Sequence, residues 1–586
     1  MLASLAVSSW TASTWLLAFL GAFWAVDALI LALKLRGSTG VRAHVLANNP
    51  FRTIFLFLQT TYYQINNDLL YYFNAALSNN EPTCLHAAEV SFFGRRIIIT
   101  RDTEHIKAVL TSKLAHFGKG PQFHRIWEGF LGDSIFTTDG KQWQASRALI
   151  RPMFVRERIR DLDIFSRWTD TLLRHIPGDG VTVDMCDLFY RMTLDVATDF
   201  LLGASVGSLD NPRSEFSRAF TEVQREQMIL TILSPFWSFI PKRRYRNGIK
   251  KLEEFMDPFI VATLKLSPEE LERLSKFDKD FTFLHHVALM SKDPKVIRDQ
   301  IMAVLLAGRD TTASTLSWTL YELCRYPATW DKLRAQVLDV VGPSRTPTYE
   351  DLKSMRYLNH AIDETLRLYP AVPYNWRAAV SDTTLPGQPG QPDIVANNKD
   401  IILYSTLSMQ RRRDLYPPVS ETFADPDIYS PDRWEHWTPK PWQYIPFNGG
   451  PRICIGTRHR STVLAEFCLN RDGICVNTAE SSTAAIGMLS ITRQKSWDVQ
   501  ARAYRWHFTK LTTAPTGKVR GDKGETEERG ICSATSPLSS FGQPATFQVP
   551  RQEVGNHINL GTAVCLELNS PPDVHDAEIL GCLPLS

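Results

Sequence analysis

The stretch "PFNGGPRICIG", Pro446 to Gly456, decides how the rest of this chain is interpreted. It places a single cysteine, Cys454, in a loop that is rich in glycine and proline. Glycines allow the main chain to turn tightly, and the N–H groups of such a turn can donate hydrogen bonds to a sulfur atom. An ordinary Gly-Pro turn beside a buried thiol is the alternative. The spacing favours a loop that presents the Cys454 sulfur to a metal.

A haem iron gives every residue of this FxxGxRxCxG pattern a function. Phe447 would shield the sulfur, and Arg452 would neutralise a haem propionate. Gly450 and Gly456 would let the loop fold tightly under the macrocycle. A thiolate ligand donates electron density through the iron and favours O–O cleavage, so it implies oxygen activation and not oxygen transport.

The composition excludes several classes of protein. The chain has 586 residues, of which 44% are apolar, and this is enough for a large core. The formal net charge is only +3, so no global field attracts nucleic acid, and we expect no nucleic-acid partner. The nine cysteines include no CxxC pair, which is typical of a reducing compartment.

An apolar segment lies near the N-terminus. Residues 15–33 are apolar except for Asp27 and have the length of a membrane-spanning helix, and Lys34 and Arg36 follow them. We therefore predict that residues 1–36 are an N-terminal membrane anchor, with the remainder in the cytosol at the endoplasmic reticulum. A cleaved signal peptide is an alternative, and the charge of Asp27 also leaves room for a tilted or interfacial helix.

The middle of the chain is predicted to be mainly α-helical. Apolar residues recur at intervals of three and four in residues 299–325 and again in residues 358–370, where Pro370 ends the pattern. Strand-like runs occur in "EVSFFGRRIIITRD" (89–102) and at the start of "DIILYSTLSMQ" (400–410). The fold class expected is therefore mainly α with a small β region.

Four further motifs precede the cysteine loop in a fixed order. They are "WQASR" (143–147), "AGRDTT" (307–312), "ETLR" (364–367) and "SPDRW" (430–434). With the loop, this order resembles that of the cytochrome P450 monooxygenases, and the overall look is closest to fungal long-chain alkane and fatty-acid hydroxylases. The resemblance runs from about residue 37 to Gly456. It implies the cytochrome P450 fold and a thiolate-ligated haem b.

The resemblance also implies roles for individual residues. Cys454 would be the iron ligand, and Glu364, Arg367 and Arg433 would form a buried ionic cluster that locks the cysteine-bearing region. An isolated i,i+3 pair such as Glu364 and Arg367 contributes only a few tenths of a kcal/mol on a solvated helix face. The residues expected to contact the haem or shape its loop are Trp143, Arg147, Arg377, Phe447, Gly450, Arg452, Cys454 and Gly456.

Asp310 and Thr311 are the predicted catalytic residues. In "AGRDTT", Gly308 would let the helix pass close above the iron, and the polar pair would interrupt regular helical hydrogen bonding. Thr311 would donate a proton during oxygen activation, and Asp310 would relay protons from solvent. A polar patch satisfied by a neighbouring helix is the structural alternative.

The resemblance stops after Gly456. The family continues there with a helix that begins roughly IGxxFAxxE, and residues 457–586 lack that pattern. Codons for "EFCLNRDGICV" (466–476), read from the second base, permit Asn-Phe-Ala-Leu-Thr-Glu-Met-Ala-Tyr-Val. We therefore hypothesise a retained intron near residues 457–466, followed by out-of-frame sequence. Residues 458–586 are predicted to form an irregular tail that is out of frame or disordered.

These observations define three segments and one expected activity. The segments are an anchor (1–36), a haem domain (37–457) and the atypical tail (458–586). The activity is insertion of one oxygen atom of O2 into an apolar substrate, with electrons from an NADPH-dependent reductase. Two alternatives stay open: an oxygen-independent haem-thiolate isomerase, and an inactive haem-binding product of mis-splicing.

Overall fold

The computed structural model describes most of residues 39–456. It also describes parts of residues 14–37 and the pair 506–507. The internal gaps are residues 48, 67, 79–84, 93–94, 155–161, 177–181, 278–280, 344 and 422. The chain divides into two compact units, residues 1–513 and 514–586, and all described residues belong to the first unit.

The β structure of the described residues is small. The strands are β1 (His44–Ala47), β2 (Ala87–Phe92), β3 (Arg95–Thr100), β4 (Phe117–Gly118), β5 (Thr182–Val183), β6 (Tyr374–Ala379), β7 (Thr383–Leu385), β8 (Ile394–Ala396), β9 (Ile401–Ser405) and β10 (Trp506–His507). A mixed sheet has the strand order β1-β2-β3-β9-β6-β4, in which β1 and β2 are parallel, as are β3 and β9, and the other neighbours are antiparallel. Two-stranded sheets pair β7 with β8 and β5 with β10.

Helices form the larger part of the described chain, so the predicted mainly helical fold with a small β region is confirmed. They are α1 (Pro50–Asn66), α2 (Leu69–Leu77), α3 (Thr103–Leu110), α4 (Gly120–Leu131), α5 (Gly140–Ile150), α6 (Asp163–Arg174), α7 (Met185–Leu202), α8 (Glu215–Ile232), α9 (Arg243–Leu264), α10 (Pro268–Phe277), α11 (Phe283–Met290), α12 (Pro294–Arg325), α13 (Pro327–Val341), α14 (Tyr349–Ser354), α15 (Arg356–Leu368), α16 (Thr406–Met409) and α17 (Arg433–His436).

The long helix α12 is the centre of the fold. Pro294 occupies its first turn, where a missing N–H costs nothing, and the Asp293 side chain accepts a hydrogen bond from the Lys295 N–H at 2.9 Å. The helix packs against α7 on one side and α15 on another. Apolar clusters on both sides bury residues such as Leu316 and Leu305. Burial of apolar surface stabilises the folded chain by about 25 cal/mol per Å², so the apolar contacts with neighbouring helices hold α12 in place.

The two ends of the chain are described only in part. Where residues 14–37 are described, 28–33 are helical, while Asp27 and residues 16–20 lie outside the described part. Among the described residues, no helix has both the length and the apolar character needed to span a membrane. Apart from 506–507, residues 457–586 lie outside the described residues as well. The anchor, the tail and the boundaries at residues 36 and 457 therefore stay predictions.

Candidate active site

A large cavity lies between the central helix α12, helix α5 and the cysteine loop. Its volume is about 1860 Å³. Nine of the residues predicted for the site line it: Trp143, Arg147, Asp310, Thr311, Arg377, Phe447, Arg452, Cys454 and Gly456. Gly450 and the trio of Glu364, Arg367 and Arg433 do not line it. The fold thus brings together residues that are more than 300 positions apart in sequence.

The cysteine loop presents the Cys454 side chain to this cavity. The Cys454 N–H donates to the Phe447 carbonyl at 3.0 Å, which closes the loop on itself. Burial raises the pKa of the Cys454 thiol, while the N–H of Gly456 and the charge of Arg147 act in the opposite direction. A metal ion bound to this sulfur would deprotonate it outright.

Gly450 gives the loop its shape. Its φ angle is +67°, a left-handed conformation, and a Cβ at this position would lie 2.0 Å from the Leu110 carbonyl oxygen. Any side chain there would both strain the backbone and collide with helix α3. Gly456 differs, because a Cβ on it would meet no atom within 4 Å among the described residues.

A cationic wall lies beside the loop. Arg452 forms an ion pair with Asp139 at 2.6 Å, and its guanidinium carbon lies 4.5 Å from the Trp143 ring centroid. Burial, opposed by Asp139 and reinforced by Arg377, lowers the pKa of Arg452 to about 10. Arg147 donates to the Ile453 carbonyl at 3.0 Å, directly beside Cys454.

Arg377 extends this wall from strand β6. Its side chain is 2% exposed and donates to Asn375 Oδ1 at 3.0 Å and to the Trp376 carbonyl at 2.7 Å. Its Nε has no hydrogen-bond partner within the described part of the chain. A buried, unpaired guanidinium donor is costly, so this position favours an anionic partner.

The predicted proton-delivery pair lies on α12. The Thr311 hydroxyl donates to the Ala307 carbonyl at 2.7 Å, and both Asp310 and Thr311 line the cavity. The hydroxyl bond back to a carbonyl, which was the reason for expecting interrupted hydrogen bonding here, is therefore present. The expected interruption itself was wrong, because α12 is one continuous helix from Pro294 to Arg325. The hydroxyl bond is added to the helical pattern and does not replace it.

Two residues that the sequence reasoning missed hold Asp310 in place. Arg309 Nη1 donates to Asp310 Oδ1 and to Gln224 Oε1, both at 3.0 Å. Gln224 Nε2 donates to the other carboxylate oxygen of Asp310. Burial raises the pKa of Asp310, and Arg309 and Gln224 partly counteract this rise. Gln224 belongs to α8, and no local signal links it to residue 310.

The ionic trio lies outside the cavity, in the core behind it. Arg367 Nε donates to Glu364 Oε2 at 2.7 Å, and Arg433 Nε donates to Glu364 Oε1 at 3.1 Å. The side chains of these residues are fully buried. Burial acts to raise the pKa of Glu364, but Arg367 and Arg433 lower it below its usual value.

Gln410 connects this core to the cysteine loop. Its Nε2 donates to the carbonyls of Leu366 and Arg367, each at 3.0 Å, and its Oε1 accepts from the Ile445 N–H at 2.9 Å. Gln410 is fully buried. The trio is therefore tied to the start of the loop through an amide side chain that no motif marks.

Comparison with known sequences identifies the class of protein. The sequence profile of the cytochrome P450 family matches residues 75–459. The chain therefore belongs to the cytochrome P450 family and is a cytochrome P450 monooxygenase, as the sequence resemblance predicted.

Relatives with the same family name match 63–69% of this chain. "Cytochrome P450 monooxygenase pvhE" of Talaromyces variabilis is 48% identical over 387 residues, which are 63% of this chain and 72% of the relative. "Cytochrome P450 52A13" of Debaryomyces hansenii is 36% identical over 394 residues, covering 64% and 74%. "Cytochrome P450 52-N1" of Starmerella bombicola is 35% identical over 440 residues, covering 69% and 81%.

Membership of this family implies a haem with a thiolate ligand, and members generally use O2 and a reductase. The residues of the cavity fit such a group. Cys454 offers a thiol to the cavity, and Arg147, Arg377 and Arg452 line the same cavity, with Arg452 paired to Asp139. The unpaired Nε of Arg377 fits an added anion, which the propionates of a haem would supply.

Proposed function

We propose that this chain holds haem b through the thiolate of Cys454 and inserts one oxygen atom of O2 into a C–H bond of an apolar substrate. The observation that carries the proposal is that one cavity is lined by the Cys454 thiol and by the side chains of Asp310 and Thr311. An iron ligand and a proton-delivery pair are the two parts that oxygen activation requires of the protein.

Four side chains would bind the propionates in this proposal. Arg377, Arg452 and Arg147 provide positive charge, and the Trp143 indole lies against Arg452. Charge-assisted hydrogen bonds from guanidinium groups to carboxylates are among the strongest in proteins. The haem, when bound, supplies the reductive activation of O2.

The chain's own part in the chemistry is to move protons. Burial raises the pKa of Asp310, so this carboxyl group holds a proton more readily than one in water. Thr311 donates to Ala307 in the resting arrangement, and rotation about its Cα–Cβ bond would redirect the hydroxyl proton into the cavity. We propose that Asp310 then replaces that proton.

The composition of the cavity wall supports the proposal that the substrate is apolar. Trp127, Phe130, Phe136, Phe200 and Leu306 contribute aromatic and aliphatic surface to it. Such a wall binds hydrocarbon because each Å² of apolar surface removed from water contributes about 25 cal/mol. With the resemblance to fungal hydroxylases, this favours a long-chain alkane or fatty acid.

The reaction balances with an external electron donor. One oxygen atom of O2 enters the substrate C–H bond and the other leaves as water, which consumes two electrons and two protons. We propose an NADPH-dependent reductase as the source of electrons. The apolar segment 15–33, followed by Lys34 and Arg36, supports attachment to the endoplasmic reticulum membrane with the haem domain in the cytosol.

The test is the absorption spectrum of the reduced chain with carbon monoxide. The wild-type chain should show the strongly red-shifted Soret band of a thiolate-ligated iron, and Cys454→Ser should lose it. Cys324→Ser is the matched control, because Cys324 is a half-buried thiol that does not line the cavity, and it should keep the band.

A wild-type chain without this band would refute the proposal and favour an inactive product. If the band is present, the chain with a reductase and NADPH should hydroxylate a long-chain alkane or fatty acid. Turnover of substrate without O2 would instead favour an isomerase.

A further inference from the structure

Gln227 joins three helices that surround the cavity. Its Nε2 donates to the Ile126 carbonyl of α4 at 2.9 Å, and its Oε1 accepts from the Tyr245 hydroxyl of α9, while Gln227 itself belongs to α8. Gln227 is fully buried, and Tyr245 is nearly so. No motif of the sequence marks either residue, and neither of them lines the cavity.

Both helices joined by the bond from Gln227 to Ile126 contribute to the cavity wall. Trp127 and Phe130 of α4 line the cavity, and so does Met228 of α8. The bond joins the residues that directly precede Trp127 and Met228 in the chain. It therefore fixes how far apart these two parts of the wall lie.

The ends of α4 are held by other elements. Asp139 Oδ2 accepts from the Gly120 N–H at 2.8 Å in the first turn of α4. After the last turn, Asp299 of α12 accepts from the Asp133 N–H at 2.8 Å. These bonds anchor the two ends of the helix, so the distance from its middle to α8 depends on the side chains between them.

The middle of α4 packs closely against α8 and α9. A Cβ on Gly129 would lie 3.1 Å from the Tyr245 ring, and the Phe130 and Phe220 rings meet edge to face with their centroids 5.8 Å apart. Apolar contacts are not directional, whereas a hydrogen bond is formed only over a narrow range of distance and angle. Widening the gap between α4 and α8 therefore breaks the Gln227 bond and leaves a buried amide N–H without its acceptor.

We infer that Gln227 is a positioning residue that sets the width of the cavity between α4 and α8, so that slim, unbranched ligands are favoured over bulky ones. The assignment rests on the proposed function, because it concerns the substrates of the same cavity. A bulky ligand needs the wider gap and breaks the bond from Gln227 to Ile126 when it binds, while a slim ligand leaves the bond intact. The free energy of this one hydrogen bond therefore counts against the bulky ligand alone.

The alternative is that the Gln227 amide only stabilises the fold. Its removal would then lower the stability of the chain without regard to the shape of a ligand in the cavity. Tyr245→Phe separates the two roles, because it removes a buried hydrogen bond to the same amide but keeps the bond from Gln227 to Ile126. Burial raises the pKa of Tyr245, so its hydroxyl stays protonated and donates at neutral pH.

The experiment compares two ligands that share one iron-binding group. N-dodecylimidazole has a slim tail and N-tritylimidazole a bulky one, and coordination of either imidazole to the haem iron shifts the Soret band. Dissociation constants are measured from this shift on the full haem-loaded chain, for wild type, Gln227→Met and Tyr245→Phe. Methionine is an unbranched side chain of similar size that forms neither hydrogen bond. The red-shifted band with carbon monoxide shows that each variant is folded around its haem.

We expect Gln227→Met to bind the trityl ligand about five to ten times more tightly than wild type does, the equivalent of one buried hydrogen bond, and to bind the dodecyl ligand with unchanged affinity. Tyr245→Phe should keep the wild-type ratio of the two dissociation constants to within about twofold. If Gln227→Met loses the carbon monoxide band, Gly129→Ala replaces it, because the added Cβ would press on the Tyr245 ring and should shift the ratio in the same direction.

Two results would overturn the assignment alone. One is an unchanged ratio in Gln227→Met, or in Gly129→Ala where that variant replaces it. The other is an equal change of the ratio in Gln227→Met and Tyr245→Phe. A wild-type chain without the carbon monoxide band would overturn the proposed function and the assignment with it.

Discussion

Glu364 is the residue whose replacement tests most directly how this fold is held together. Its carboxylate accepts five hydrogen bonds, two from Arg367 at 2.7 and 2.8 Å and one each from Arg433, Ser430 N–H and Trp434 Nε1 at 3.0–3.1 Å. Glu364→Gln keeps the volume but removes the charge and turns one acceptor into a donor. Two buried guanidinium groups would then face each other without an anion.

The expected cost follows from this geometry. Breaking a buried ion pair by removing one partner destabilises by about 3–5 kcal/mol, since an uncompensated charge stays buried. This is a factor of about a hundred to several thousand in the folding equilibrium. Glu104→Gln is the matched control: Glu104 pairs with Lys107 at 3.0 Å, also at i,i+3, but both side chains are exposed. Its loss should cost about 0–1 kcal/mol.

Urea unfolding of the two variants and wild type, followed by tryptophan fluorescence, measures the difference. The reasoning fails if Glu364→Gln lies within about 1 kcal/mol of Glu104→Gln. The pH dependence adds a second check. Because the folded pKa of Glu364 is lowered, its stabilisation is present above the unfolded value of about 4.3 and is lost as pH falls below it. The gap between wild type and Glu364→Gln should therefore narrow in acid.

Two further predictions concern the loop and the proton pair. Gly450→Ala should destabilise the loop by about 3 kcal/mol and abolish haem uptake, because the added Cβ would collide with the Leu110 carbonyl oxygen, whereas Gly456→Ala should be nearly neutral. The measurement is the haem content of the two variants at equal protein concentration, and similar uptake by both would contradict the steric argument. Thr311→Val should lower the ratio of product formed to NADPH consumed by about a hundredfold. The control is Thr319→Val, which replaces a buried threonine on the same helix and should leave this ratio unchanged. Equal ratios for the two variants would show that Thr311 does not deliver protons.

Local patterns in the sequence were sufficient to predict some of the helices and strands. The helices predicted over residues 299–325 and 358–370 occur as Pro294–Arg325 and Arg356–Leu368, and the strand predicted at the start of residues 400–410 occurs as Ile401–Ser405. Apolar periodicity, a proline in the first turn and a proline after the end are interactions within one segment, so they can be recognised without the rest of the chain.

The wider environment of the site could not be predicted in this way. Asn375, Gln224 and Asp139 reach the site from three different elements, and each acts through a hydrogen bond to a residue far away in sequence. No periodicity or short motif encodes such a bond, because its partner is fixed only when the elements pack. The expected interruption of hydrogen bonding in α12 was wrong for a local reason, because a hydroxyl bond to a carbonyl one turn back is compatible with an intact helix.

The order of the short motifs that precede and include Cys454 was enough to assign the family, because each motif contains residues of the types that a thiolate-ligated haem site needs. Tertiary packing determined which charged side chains are buried, and a buried charge is costly unless it is paired. The Glu364 and Arg367 pair has the spacing of many weakly stabilising surface pairs, and only its complete burial beside Arg433 makes it a strong constraint. Packing likewise buried Arg377 beside the cavity with an Nε that has no hydrogen-bond partner in the described part of the chain. Charge–charge energies depend on distance and solvent access, and those are properties of the folded chain.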